Sequence, residues 1–206
     1  MPHMTFSSAE PSVIRSIKQR DLLNTWLRLR AGGVSTPRLS LFQPSRFEEE
    51  WTDLVRYVVD WTDDVGVPVI DSHGSRIAFA YGHTAGKSSQ GMYLSDYLPP
   101  NMRPVVMPAY AECIGRAMPV YTITMVEDVY GRSVDYERLL LPFSDSGKVE
   151  HILASVKTIS EDGSFELKNL LLAPERHPVV KVRNVIDSNL LVRGLMRQGG
   201  DEVVEI

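Results

Sequence analysis

Residues 118–160 read MPVYTITMVEDVYGRSVDYERLLLPFSDSGKVEHILASVKTIS. Three apolar, β-branched runs lie in it: Pro119–Glu127, Val134–Phe143 and Val149–Ile159. Asp128-Val-Tyr-Gly-Arg132 and Ser144-Asp-Ser-Gly147 separate them, and Glu161-Asp-Gly163 closes the last. Gly, Asp and Ser supply the turn conformations that short antiparallel connections need, so the stretch predicts a three-strand meander. Its alternation groups Tyr121, Ile123 and Met125 on the first strand and Ile152, Ala154 and Val156 on the third, expected together on the inner face. On the middle strand the two sets are Val134, Tyr136, Arg138, Leu140 and Asp135, Glu137, Leu139, Leu141; the sequence does not choose between them.

The whole chain has 206 residues, 43% hydrophobic and 23% charged, with a formal charge of −4. These are proportions of a globular domain able to bury a core. The acidic balance argues against general nucleic-acid binding. A single cysteine, Cys113, excludes an internal disulfide and fits a reducing compartment. The first residues show no basic-then-apolar leader, and no run approaches the ~20 apolar residues of a membrane span. The expected location is the cytoplasm, with no membrane partner.

Outward from the meander, Ser12 is the expected N-cap of a helix reaching about Arg30. Leu22, Leu23, Trp26, Leu27 and Leu29 make its apolar stripe, and Ala31-Gly-Gly33 ends it. Arg15, Lys18, Arg20, Arg28 and Arg30 lie on the other face, which reads as solvated or as a docking surface for an acidic partner. Residues 36–44 read as extended, and Ser45 as the cap of a short helix. Leu54 to Trp61 alternates as a strand, Thr62–Gly66 is a turn, and a second strand is expected near Arg76–Tyr81. Ser95–Leu98 reads as one helical turn. Pro104–Ala117 reads as a helix with the stripe Val106, Tyr110, Cys113 and Ile114, weakened by Pro108. Residues 165–172 read as a strand or a helical turn. Residues 176–198 hold five basic residues (Arg176, Lys181, Arg183, Arg193, Arg197) against one acidic residue, Asp187, with loose helical spacing at Val185, Ile186, Leu190 and Leu191.

The expected fold class is therefore α+β: a five-stranded antiparallel sheet with helices inserted after strand two, an N-terminal amphipathic helix and a C-terminal extension. The expected divisions are 1–33, 34–160 and 161–206. This order resembles the PAS fold, and more closely the stand-alone, alphaproteobacterial-type PAS proteins. The likeness is carried by Asn24-Thr-Trp26-x-x-Leu29-Arg30, Thr36-Pro-Arg38, Tyr81-Gly-His-Thr84, Leu94-Ser-Asp96-Tyr-Leu98, Gly115-Arg-Ala-Met-Pro119 and Tyr136-Glu-Arg-Leu-Leu-Leu-Pro142, over roughly residues 20–160. The loop carrying His83 departs from the smaller polar residues expected there. The resemblance implies a non-enzymatic sensory or regulatory module of largely undefined role. Such a module acts by protein–protein contact, with a small metabolite or nothing between sheet and helices.

The cofactor is left unknown. A flavin-adduct sensor of this fold needs Cys in an Asn-Cys-Arg setting, where this chain has Asn101-Met-Arg103. A haem sensor generally takes His from the longer helix, and residues 100–117 contain none. Gly82-His-Thr-Ala-Gly-Lys-Ser88 has three residues between Gly82 and Gly86 where a phosphate-binding loop needs four. His83 and His151 stand alone, without metal-ligand spacing. The expected pocket residues are Tyr110, Cys113, Tyr121, Ile123, Tyr136 and Arg138. Arg138 either grips a carboxylate bidentately or pairs with Glu137, Asp135 or an acid on a neighbouring strand. Leu22, Leu23, Trp26, Leu27 and Leu29 are the expected interaction surface, pairing with a second copy in a homodimer, the alternative being that this stripe covers the chain's own sheet. Two alternatives remain: a small α+β enzyme drawing on Cys113, His151 and Asp135, and nucleic-acid binding through the basic tail 176–198.

Overall fold

The computed structural model describes residues 5–31, 36–44, 51–75, 77, 89–127, 133–159 and 178–187. In chain order these form β1 (Ser7–Ala9), α1 (Ile17–Arg30), β2 (Leu54–Thr62), β3 (Val65–His73), α2 (Leu94–Tyr97), α3 (Arg103–Arg116), β4 (Val120–Glu127), β5 (Ser133–Phe143), β6 (His151–Ile159) and β7 (Val179–Ile186), with short 3-10 turns at Pro11–Val13, Leu39–Leu41 and Trp51–Asp53. All described strands join one sheet in the order β1-β7-β4-β5-β6-β2-β3. It holds seven strands rather than five: β1 and β7 extend it beyond β4, β7 antiparallel to β4 and β1 parallel to β7.

The meander forms as its turns predict. β4 and β5 pair from Val120↔Leu140 to Glu127↔Ser133, and β5 and β6 from Asp135↔Ile159 to Phe143↔His151. β2 also falls where alternation places it, and it crosses back to pair with β6. Asp63 and Asp64 (φ 48° and 68°) make a two-residue hairpin loop in left-handed conformation. That backbone twist matches two antiparallel strands.

The second strand is displaced from the expected 76–81 to Val65–His73. Gly66 and Pro68 disguise it as turn sequence. A proline is tolerated because β3 is the last strand of the sheet, where a missing ladder N–H costs least. Gly66 is required for packing: a Cβ there would lie 2.8 Å from both Ile114 Cγ2 and Val59 Cγ1. Of the residues expected to form that strand, Ile77 is helical and buried, and 76 and 78–81 lie outside the described residues. So do the 82–88 loop with His83, the short helix expected after Ser45, and residues 165–172. In the basic segment, helical spacing gives way to strand β7 at residues 179–186; the Val-rich run Val-Val-Lys-Val outweighs it. Residues 188–198 lie outside the described residues.

Helix α1 starts at Ile17. Its N-cap is Ser16 rather than Ser12, with Ser16 Oγ accepting from the Gln19 N–H at 3.4 Å. Ser12 belongs instead to the preceding 3-10 turn. Helix α3 forms as expected, with Val106, Ala109, Tyr110, Cys113 and Ile114 buried. Pro108 lies inside the helix, past its first turn, where it removes one backbone bond without ending it.

Two apolar layers sandwich the sheet. Between the sheet and α2/α3 lie Val55, Tyr57, Tyr136, Leu140, Ile152, Ala154 and Val156 with Val106, Tyr110, Cys113 and Ile114. Between the sheet and α1 lie Tyr121, Ile123, Leu139, Leu141, Phe143 and Leu153 with Leu22, Leu23 and Trp26. This corrects the expected inner face. Tyr121 and Ile123 pack beneath α1, on the side opposite Ile152, Ala154 and Val156. Because both faces are buried, both alternating sets on β5 carry buried apolar residues, Val134, Tyr136 and Leu140 on one side and Leu139, Leu141 and Phe143 on the other.

Candidate functional site

The interior beneath α2 and α3 is where the chain places charge and aromatic hydroxyls together. β5 directs Tyr136 and Arg138 into this layer, and both are buried. Helix α3 lowers Tyr110 onto them. The Arg138 guanidinium carbon lies 5.1 Å from the Tyr136 ring centre and 5.9 Å from that of Tyr110. At such distances a cation is attracted to the negative face of an aromatic ring. Tyr57 of β2 meets Tyr110 edge-on, with ring centres 5.1 Å apart at 75°. Opposite Arg138 in the ladder is Thr122, whose buried Oγ1 has no hydrogen-bond partner among the described residues. His73 lines the layer from β3 and shares a 2.9 Å hydrogen bond with Ser89 Oγ.

Burial pushes the Tyr110 phenol up to about 12, opposed by the Arg138 charge and a hydrogen bond with Tyr57. Burial likewise raises the Tyr97 phenol, with nearby Tyr136 adding to the shift. The Cys113 thiol, fully buried on α3, is also pushed well up by burial. The layer therefore holds neutral hydroxyls and an unreactive thiol around one guanidinium.

The space left is small. Tyr57, Tyr97, Tyr110, His73 and Arg138, with Val55, Ile70, Leu94, Leu98 and Val106, enclose about 10 Å³, room for about one water molecule. Described side chains fill most of the space between the sheet and α2/α3 at this point.

The expected pocket residues thus divide. Tyr110, Cys113, Tyr136 and Arg138 share the α3 side, while Tyr121 and Ile123 lie under α1. The acids expected as alternative partners of Arg138 have opposite parity on β5: Asp135 pairs with Lys181 at 2.5 Å, and Glu137 lies beneath α1. Of the residues that line this site without being expected there from the sequence, Tyr57, Tyr97 and His73 carry polar groups. Tyr57 stood in a visible alternation on β2, but His73 fell in a stretch that did not read as a strand.

The stripe expected to face a partner faces this chain's own sheet. Leu22, Leu23 and Trp26 are completely buried against it, and Leu27 and Leu29 are partly buried at its margin. Trp26 Nε1 donates to the Pro142 carbonyl at 2.7 Å. The types expected for an enzyme are not assembled: Cys113 is on the α3 side, whereas His151, paired with Phe143, and Asp135 belong to the α1 side. Among the described residues no three His, Cys, Asp or Glu side chains are grouped to hold a metal. No described helix is long and apolar enough to cross a membrane.

No family model matches the chain, and no curated protein matches it. Solved structures similar to it include the Rhodobacter sphaeroides LOV protein, at 12% identity and TM-score 0.39, covering 57% of this chain and 69% of that one. The light-state Aureochrome1 LOV blue-light photoreceptor is 13% identical with TM-score 0.36, covering 56% and 88%. An RNA-binding light-oxygen-voltage receptor is 10% identical with TM-score 0.37, covering 73% of this chain and 36% of that one. Likenesses at this level carry no ligand and no activity across.

Proposed function

We propose that this chain is a non-enzymatic sensory module of PAS type whose input is the Arg138 interior and whose output is a protein contact made on the α1 side. The observation that carries this reading is a buried Thr122 hydroxyl that completes no hydrogen bond among the described residues, opposite the buried Arg138 on one face of the sheet, in a layer that is otherwise mainly apolar and aromatic. Burying a hydroxyl without a hydrogen bond is expensive, and Thr122 Oγ1 completes none among the described residues. A guanidinium with a hydroxyl beside it suits a small carboxylate or similar oxyanion. The tight interior limits the ligand to a few atoms unless Tyr97 or Tyr110 swings aside. β5 supplies the link to output. Tyr136 and Arg138 enter the ligand layer, while Glu137 and Leu139 between and beyond them touch the α1 layer, so a shift of this strand is felt on both sides.

The test is thermal unfolding of the full chain with formate, acetate, small dicarboxylates and phosphate, in the wild type and in Arg138→Gln, alongside native mass spectrometry. A rise in midpoint with one anion class, lost in Arg138→Gln, is expected. No rise with any of them, together with a bare-chain mass, overturns the ligand reading and leaves Arg138 a structural residue.

A further inference from the structure

A second polar group is buried on the other side of the sheet, and the input site makes no use of it. Glu137 on β5 is completely buried beneath α1, and neither carboxylate oxygen completes a hydrogen bond among the described residues. Gln19 of α1, also completely buried, donates its amide nitrogen to the Ser155 carbonyl at 3.0 Å and the Glu137 carbonyl at 3.5 Å. Its Oε1 is left without a donor, as is the buried Ser155 hydroxyl. The layer therefore holds three orphan acceptor oxygens, one on Gln19 and two on Glu137, against one unpartnered hydroxyl, that of Ser155. An ionised carboxylate only accepts; a protonated one supplies a donor.

We propose that the docking of α1 onto the sheet is proton-linked through Glu137: the helix is held closed when this carboxyl is protonated and loosens when it ionises.

The charged and titratable neighbours set the direction. Burial raises the Glu137 carboxyl, and Asp135 on the same strand adds to this; the Tyr121 hydroxyl, the Ser16 amide and the Arg15 charge oppose it. Tyr121 already accepts from the Arg15 N–H at 3.3 Å. The Ser16 amide and Tyr121 hydroxyl approach the carboxyl without completing a bond to either oxygen. Lys157, opposite Glu137 on β6, pairs with Asp53, and Asp135 pairs with Lys181. Among the described residues neither Glu137 carboxylate oxygen completes a hydrogen bond with a cation. A carboxyl raised in the closed state contributes its full share of docking at and below the ordinary glutamate range, about 4.3. That share is lost as pH climbs to the raised value. Across that window the opening equilibrium of α1 steepens by up to about tenfold per pH unit, then levels off.

Hydrogen exchange of residues 17–30 in the full-length protein, corrected for intrinsic amide chemistry, reads this directly. The wild type is expected to show the added pH dependence, Glu137→Gln to abolish it, and Asp135→Asn, a charge change on the same strand, to keep it. A flat corrected profile in the wild type, or an unchanged one in Glu137→Gln, overturns the proposal. Should Glu137→Gln fail to fold, ¹³C-carboxyl titration of Glu137 in the wild type decides. A midpoint above the usual glutamate range is expected, and one within or below it refutes the linkage.

Discussion

Trp26→Ala is the perturbation that asks most of the helix-on-sheet arrangement. Trp26 is completely buried between α1 and β5, donates to the Pro142 carbonyl at 2.7 Å, and has the Arg30 guanidinium carbon 5.6 Å from its ring centre. An indole buries roughly 200–250 Å², which at about 25 cal/mol per Å² is about 5–6 kcal/mol of transfer free energy. Alanine keeps part of this contact surface and the layer relaxes, so the expected loss is about 3–5 kcal/mol. Trp26→Phe keeps most of the ring but leaves the Pro142 carbonyl without this donor, an expected cost of about 1–3 kcal/mol. Arg30→Met removes a cation–π contact worth under about 1 kcal/mol at a partly exposed site. The assay is urea unfolding of the full chain followed by far-UV circular dichroism, because the mutation removes a fluorophore. A Trp26→Ala loss below about 1 kcal/mol is the value of a surface position. It would show that α1 is not laid on its own sheet.

Gly66→Ala pushes a methyl into Ile114 and Val59 and is expected to destabilise by about 1–3 kcal/mol in the same assay, whereas Val65→Ala, at an exposed position, changes little. Asp53→Asn leaves the mostly buried Lys157 ammonium without its carboxylate and should cost about 3–5 kcal/mol, more than the loss of the exposed Lys148–Asp64 pair. The Cys113 thiol, raised and buried, should react with a thiol reagent only as fast as the chain unfolds; prompt labelling of native protein would contradict the α3 packing. The Tyr121 phenol is raised to about 12, chiefly by burial. Its neutral form therefore stabilises the fold fully below the ordinary tyrosine value of about 10, and that contribution fades as pH rises from there towards 12. Phenolate absorbance titrated against circular dichroism should show Tyr121→Phe holding its fold to higher pH than the wild type.

What the sequence made legible was set by periodicity and turn chemistry. The meander and β2 alternate cleanly between Gly- and Asp-rich turns, and α3 carries an apolar stripe, so local pattern and final structure agree. β3 was hidden because an edge strand tolerates Gly66 and Pro68, which locally signal a turn. β7 was hidden because its strand pairing comes from β4, some sixty residues earlier in the chain. The site was half legible for one physical reason. A sheet buried on both faces erases the apolar/polar contrast that assigns a side, so Tyr121 and Ile123 were grouped with Tyr136 and Arg138 across the sheet. The apolar stripe of α1 needs cover on composition alone, but composition does not reveal whether the cover is a second chain or the chain's own sheet.

Hydrogen exchange of α1 across a dilution series of the full chain, with mass by light scattering at each concentration, bears most directly on the two-layer arrangement. Protection of residues 17–30 that stays constant from dilute monomer upward is the predicted result. Protection that appears only as a dimer forms would contradict it, and would return Leu22, Leu23 and Trp26 to an interface between copies.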